Sequence, residues 1–340
     1  MEDIKNLTFE ELEIAMERIG ESSYRAAQVF SWLYRKGGTH FQSFTDLSRN
    51  LRDRLDGLYS IGRLELHGQF QSLDKTEKFV FRLEDGNFIE TVLIPSGRRK
   101  TLCLSTQVGC KFACAFCASG LNGFTRNLTP SEIVNQALYS QQHFDDHLTN
   151  LVFMGMGEPL DNLTNLVKAI RIFNSPRGMG IAARRMTVST CGLIHGIERF
   201  QNLGLQVNLS LSLHAVTDRL RNQLMPVNRK NPLEKLILAC RKYCEVRGRK
   251  MTLEYILIQG VNDSSRDAES LVRIAKRLKA KVNLIPYSPV VGLEFRVPPE
   301  EKMAVFRSHL EDHKVNVTRR RSKGKDILAA CGQLAGRVRA

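Results

Sequence analysis

The 340-residue chain lacks any apolar run approaching the ~18 residues that cross a bilayer, so no membrane partner is expected. Its first residues, MEDIKNLTFEELEIAMERIG, are charged throughout and hold no apolar signal core, which points to a cytoplasmic protein. Neither an internal repeat nor a low-complexity tract appears, which argues against a solenoid or a disordered chain. Acidic residues are also short. Thirty-five Asp and Glu face fifty Lys and Arg, leaving a net charge of +15. Such an imbalance favours a polyanionic partner, by steering and by counterion release from phosphates. The excess is locally clustered: Arg319, Arg320, Arg321, Lys323 and Lys325 share one stretch, and Arg98, Arg99 and Lys100 form another.

What remains is ordinary for a globular core, with 42% hydrophobic and 25% charged residues. Residues 1–60 read as a helical domain. Thr8 and Glu11 form a capping box, Ser22 or Ser23 can cap YRAAQVFSWLYRK before Gly37-Gly38, and LSRNLRDRL suits a third helix. Residues 61–98 read as a β-hairpin extension, because KFVFRL and NFIETVLIP flank Asp85-Gly86. From 99 to 340 the pattern alternates: seven apolar strands, from TLCLS to VNVTR, are separated by amphipathic helices. Thr129-Pro130-Ser131-Glu132 opens the first long one. Six successive βα units predict an α/β fold with a parallel sheet, best arranged as a partial (β/α)6 barrel.

Residues able to do chemistry cluster just after the strands. The cysteine loop follows the first, Gly155-Met156-Gly157-Glu158-Pro159 the second, and Ser189-Thr190 closes the third. Ser212 and His214 close the fourth, Ser288 follows the sixth and Cys331 the last. In a parallel barrel those strand ends share one mouth, where active sites sit.

Eight cysteines in a cytosolic chain do not suggest a disulfide framework. Cys110, Cys114 and Cys117 are spaced C-x3-C-x2-C, for which composition alone gives on the order of 0.004 chance occurrences. Structural zinc wants four ligands, usually on two paired arms, and no second Cys/His arm appears. The Cys240/Cys244 pair lies one turn apart on an expected helix, where partial burial accounts for it. Three thiolates instead suit a [4Fe–4S] cubane with one iron left open. In radical S-adenosylmethionine (SAM) enzymes the amine and carboxylate of SAM chelate that iron. Phe116 matches the aromatic usual before the third cysteine, and small residues let the loop wrap closely. Downstream, glycines permit backbone approach, and the Glu158 carboxylate suits the methionine ammonium of SAM.

Together these motifs resemble the RlmN/Cfr family of radical SAM adenosine methyltransferases of RNA, over nearly the whole chain. The resemblance rests on DLSRNLRDRL, DGNFIETVLIP, the block TLCLSTQVGCKFACAFCASGLNGFTRNLTPSEIVNQ, FMGMGEPLDN, MTVSTCG, LSLHA, LMPVN and KDILAACGQLAG. It implies that Cys331 takes a methyl group from one SAM. A radical from a second SAM then activates that methyl for addition to adenine, giving two SAM per turnover. Cys103 would resolve the RNA–protein adduct by forming a disulfide with Cys331, and Glu90 would accept the ring proton. SAM contacts carried over are Gly157, Glu158 and Ser189, then Ser212, Leu213 and His214, with Ser288 standing where the family has Asn. Two further departures are Cys191, for a usual Ser or Val, and His195, for a common Pro. The implied substrate is adenosine carbon 2 in 23S rRNA and tRNA. The implied partners are RNA, gripped partly by the N-terminal helices, and a reducing donor such as a flavodoxin or ferredoxin. A monomer is expected, with the Arg319–Lys325 stretch near Cys331 and its phosphates. Two alternatives stand beside this reading. The Cfr-type carbon-8 reaction is disfavoured by GEPL in place of GEAL. A non-enzymatic iron–sulfur RNA-binding protein would have no need of Cys103, Glu90 and Cys331.

Overall fold

Each long amphipathic helix carries the chain back across the sheet, so successive strands run the same way. In the computed structural model, which describes residues 1–121, 123–142 and 148–336, seven strands pair in parallel in chain order. They are Arg99–Cys103, Asn150–Phe153, Met186–Thr190, Asn208–Ser212, Thr252–Leu257, Lys281–Pro286 and Val317–Arg319. Six crossovers join them, as expected. The sheet stays open: Val317–Arg319 forms one edge, and Glu65–Gln71, beyond the hairpin, forms the other. The result is an incomplete α/β barrel. Its parallel strands alternate, turning an apolar face to the covering helices and a polar one, with Ser189, Ser212 and Glu254, to the barrel interior. Leu102, Leu151, Phe153, Val188, Leu211 and Leu253 are fully buried.

The DGN turn behaves as read. Gly86 takes φ +80°, a conformation glycine reaches without strain, and Glu77–Arg82 pairs antiparallel with Phe88–Ser96. The second of these also pairs antiparallel with Arg99–Cys103, so hairpin and barrel share one ten-stranded sheet. A third antiparallel strand, Glu65–Gln71, precedes the hairpin and was not expected. Its sequence ELHGQFQ is half-polar, and the register shifts between Leu66 and Gly68.

The N-terminal helices are Phe9–Arg18, Ser23–Tyr34 and Arg49–Leu58. The Thr8/Glu11 capping box is formed, and Ser48 caps the third helix through the Leu51 amide. Ser22 occupies the N-cap of the second but makes no side-chain bond there, and that helix stops at Tyr34, before the glycines. Lys5 ties this layer to the barrel, donating to Asn135 Oδ1 at 2.8 Å and to the Gly62 carbonyl at 3.1 Å. Among the described residues no helix is long and apolar enough to cross a membrane.

Candidate active site

The cysteine loop is built by backbone bonds that only small residues allow. The Cys110 amide donates to the Gly123 carbonyl at 2.8 Å, and the Cys117 amide to the Cys114 carbonyl at 3.1 Å. Ala113 adopts φ +47°, and a Cβ on Gly120 would lie 3.0 Å from the Ala113 Cα. Cys110, Cys114 and Cys117 all line one cavity of about 920 Å³, its open mouth included. Burial pushes the Cys110 thiol up to about 12 and the other two upward. Iron binding must therefore displace protons that these thiols otherwise keep. No three His, Cys, Asp or Glu groups among the described residues are gathered around a single metal ion. A cubane asks for something else: its protein thiolates bind separate irons, so they stand wider apart than the ligands of one zinc. The donor set fits a [4Fe–4S] cluster.

The loop after the second strand faces these thiols. A Cβ on Gly155 would meet the Leu104 carbonyl at 2.7 Å, so this backbone packs directly against the first strand end. Gly157 sits at φ +95°, and a Cβ there would lie 2.5 Å from the Gln107 side chain. That orientation turns Glu158 into the cavity. Its carboxylate accepts from the Cys191 amide at 2.7 Å and the Leu160 amide at 3.1 Å, while burial raises its pKa. Across the cavity, Ser189 and Ser212 share a hydroxyl contact of 3.2 Å. His214 lies on the same wall at φ +57°. Its Nδ1 accepts from the Ile256 amide at 3.1 Å, and its ring meets Phe116 edge-on at 5.0 Å. Burial holds the imidazole down at about 3, hence neutral at pH 7, with Nε2 carrying the proton.

Cys331 closes the site from the C-terminal side. Its segment is bonded to the cysteine loop, with the Ala118 amide on the Gly332 carbonyl at 2.7 Å and the Ser119 hydroxyl on the Leu334 carbonyl at 2.7 Å. Cys331 lines the cavity of the three cysteines and also a smaller one that it shares with Cys103, Cys117 and Arg320. Cys103, on the first barrel strand opposite Val152, is pushed up to about 12 by burial, with Cys331 adding to the effect. Glu90, on the hairpin strand, is 2% exposed and accepts from the Ala335 amide at 3.1 Å. It lines a third cavity, on the outer side of the Cys331 segment.

This arrangement has close counterparts. Residues 104–272 match the family model of the radical SAM superfamily, and residues 2–61 that of the ribosomal RNA large subunit methyltransferase N-terminal domain. The chain is 47% identical over 339 residues to the dual-specificity RNA methyltransferase RlmN of Syntrophotalea carbinolica, covering 99% of this chain and 90% of that one. Against the RlmN of Geobacter sulfurreducens it is 46% identical, covering 99% and 93%. The chain belongs to the RlmN family. It is a radical SAM enzyme, and family membership implies the [4Fe–4S] cluster and SAM. A crystal structure of a radical SAM methyltransferase from Sphaerobacter thermophilus superposes with a TM-score of 0.94 at 42% identity, covering 99% of this chain and all of that one.

Most residues expected of an RlmN family site converge, and a few do not. Gly157, Glu158, Ser189, Ser212 and His214 line the cavity of the three cysteines. Leu213 is wholly buried, with its amide on the Glu254 carbonyl at 3.0 Å, so only its backbone is near. Ser288 is 2% exposed and does not line the cavity. Cys191 does, under Glu158, whereas His195 is exposed on a helix. The basic stretch after the last strand is divided between surface and cavity, with Arg321 and Lys325 exposed. Arg319 is ion-paired with Glu300 and Lys323 stands 3.9 Å from Asp74. Arg320 turns into the cavity with Glu254, and Cys331 and Glu254 hold its guanidinium above the ordinary value. Sequence reasoning also missed Arg221, a wholly buried arginine beneath the cavity wall; nothing local marks a charged residue as buried.

Proposed function

We propose that this enzyme methylates carbon 2 of adenosine in 23S rRNA and tRNA through an S-methylcysteine at Cys331. One observation carries the reading: Cys331 sits on a segment bonded to the cluster loop, and it shares one cavity with Cys117 and another with Cys103. Cys110, Cys114 and Cys117 would hold the cluster, and Glu158, Ser189, Ser212 and His214 would hold SAM. Two SAM molecules per turnover, with an electron from a flavodoxin- or ferredoxin-like donor, supply a methyl group and a 5′-deoxyadenosyl radical. Carbon 2 of adenine is electron-poor and cannot displace a methyl group from a sulfonium, so the carbon must first be lodged on the protein. Cys331 would receive the methyl group, lose one of its hydrogen atoms to the 5′-deoxyadenosyl radical, and add the carbon to the ring; loss of the ring proton and return of the one electron then leave RNA tethered through sulfur. Glu90 takes the ring proton; burial raises its pKa, which suits a base working near neutral pH. Cys103, as its thiolate, then attacks the Cys331 sulfur; the S–C bond breaks with its electron pair on carbon, which takes up a proton to complete the methyl group as the disulfide forms. The helices of residues 1–60 and the overall +15 charge favour RNA on the outside.

The test is anaerobic reconstitution with iron and sulfide, addition of dithionite, SAM and 23S rRNA, and mass spectrometry of the nucleosides. The expected product is 2-methyladenosine, absent with Cys117→Ala. A product methylated at carbon 8 would reassign the reaction. Cys331→Ala should still cleave SAM reductively yet methylate no RNA, and full methylation by that variant refutes the mechanism.

A further inference from the structure

The hairpin register places Val80 opposite Glu90 and Lys78 opposite Val92. Lys78 and Glu90 are thus diagonal neighbours on one face, and Lys78 Nζ stands 3.7 Å from Glu90 Oε1. Both side chains are buried, at 9% and 2% exposure. Burying two charges carries a desolvation cost that their attraction often fails to recover, and well-packed apolar residues would serve stability as well or better. Stability alone therefore gives no reason for the pair. Its geometry does. Glu90 Oε2 is taken by the Ala335 amide, which leaves Oε1 for Lys78 and for the cavity that both residues line. That cavity holds about 960 Å³ with its mouth, and its other walls include Phe70, Leu121, Val291 and Gln333. Lys78 Nζ also lies 5.2 Å from the centre of the Phe70 ring, a contact that favours the cation at this position.

We propose that Lys78 is the positioning residue of Glu90, its ammonium keeping the buried carboxylate charged and turned toward a nucleobase in this cavity. The inference rests on the reading of Glu90 as the base. In that step the ring C–H bond breaks, the proton goes to Glu90 Oε1, and the electron pair stays with the ring; a carboxyl already protonated cannot take part. Four influences act on Glu90. Burial pushes its pKa up, while Lys78 from the hairpin and the Ala335 and Gly336 amides from the C-terminal segment pull it down. The other carboxylate on the cavity, Asp326, is engaged by the Ser72 hydroxyl at 2.6 Å and the Leu73 amide at 3.2 Å. Removing the cation leaves two amides against the burial, and Glu90 then keeps its proton to higher pH.

The test compares reconstituted wild-type enzyme with Lys78→Met, which preserves much of the length without the charge, and with Lys78→Arg. Methylated-nucleoside formation is followed across pH, together with SAM cleavage and the methyl load of Cys331. For Lys78→Met, we expect kcat at pH 7 to fall at least tenfold, with little change in KM for RNA. The acid limb of its profile moves up by about one to three units, and Cys331 is still methylated. Lys78→Arg retains most activity and the wild-type limb. In parallel, isotope-edited infrared spectroscopy reads the Glu90 carboxyl directly, by the band that Glu90→Gln removes, and this titration moves up in Lys78→Met. An unmoved carboxyl titration overturns the proposal whatever the activity. So does an equal loss in both Lys78 variants at every pH, the pattern of a packing defect. A moved titration with an unmoved rate profile overturns instead the assignment of Glu90 as base.

Discussion

Arg221 offers a direct measure of how the cavity wall is held. It lies on the short helix Asp218–Leu224 with no exposed surface. Its guanidinium donates to the Cys191 carbonyl at 2.6 Å, the Leu213 carbonyl at 3.1 Å and Asn228 Oδ1 at 2.9 Å. One side chain thus ties the ends of the third and fourth barrel strands to the turn after its own helix. That helix also receives the cysteine loop, through the Ala115 amide on the Leu224 carbonyl at 2.9 Å. Arg221→Met keeps most of the length and apolar stem but removes every donor. Each of the three acceptors left dry costs about 1–3 kcal/mol. Part of this is offset because the arginine's own charge need no longer be buried, so the net loss should be about 2–5 kcal/mol. Urea unfolding of the metal-free protein, followed by circular dichroism, measures it. Iron content after reconstitution then reads whether the cysteine loop has lost its support, and it should fall. A stability loss under about 1 kcal/mol with full iron content would refute the reasoning.

Three further perturbations probe separate parts of the site. Gly157→Ala forces a side chain onto a left-handed backbone against Gln107, a strain of about 1–3 kcal/mol before the clash is counted. SAM affinity, measured by calorimetry on reconstituted enzyme, should drop at least tenfold, and unchanged binding would refute the assignment of this loop. His214 is neutral in the fold, at about 3, against about 6.5 in the unfolded chain. The unfolded state therefore takes the proton first, and stability falls as pH drops from about 6.5 toward about 3, by up to about 1.4 kcal/mol per unit. His214→Gln should flatten the measured slope by that amount, and parallel slopes would contradict it. Finally, Asp74 accepts from the Gly324 amide at 3.1 Å while Asp326 accepts from Ser72 and Leu73, a clasp between the hairpin extension and the Cys331 segment. Replacing both aspartates with Ala should speed amide exchange over residues 324–334 severalfold and slow RNA methylation without lowering iron content. Exchange rates equal to wild type would show that the clasp does not hold the segment.

Local chemistry explains which features the sequence revealed. The capping box at Thr8 and Glu11, the turn at Gly86 and the alternation of seven apolar strands with helices are written within a few residues of where they act. The three cysteines proposed to hold the cluster are legible for the same reason, since the proposal rests on their spacing. The strand Glu65–Gln71 was not, because half its residues face solvent and Gly68 stands where a third apolar residue would mark the alternation. The helix Asp218–Leu224 is short, and its sequence DRLRNQL carries only two apolar residues, too few for a periodic signal.

The basic run near Cys331 is only partly legible in the sequence. Five cations in seven residues resemble a docking patch, yet a β-strand end sends neighbouring side chains to opposite sides. Arg319 therefore turns outward to Glu300, whereas Arg320 turns inward to Cys331 and Glu254. Charge count reports on the partner's sign only where side chains share a surface. Here strand geometry divides one run between two environments, and Arg321 and Lys325 stay exposed beside it. The Cys331 segment is bonded to the cysteine loop and to Glu90, so one short stretch of backbone touches both the proposed cluster site and the proposed base. A thiol exchanging a one-carbon unit between two substrates needs that placement, and only the fold supplies it.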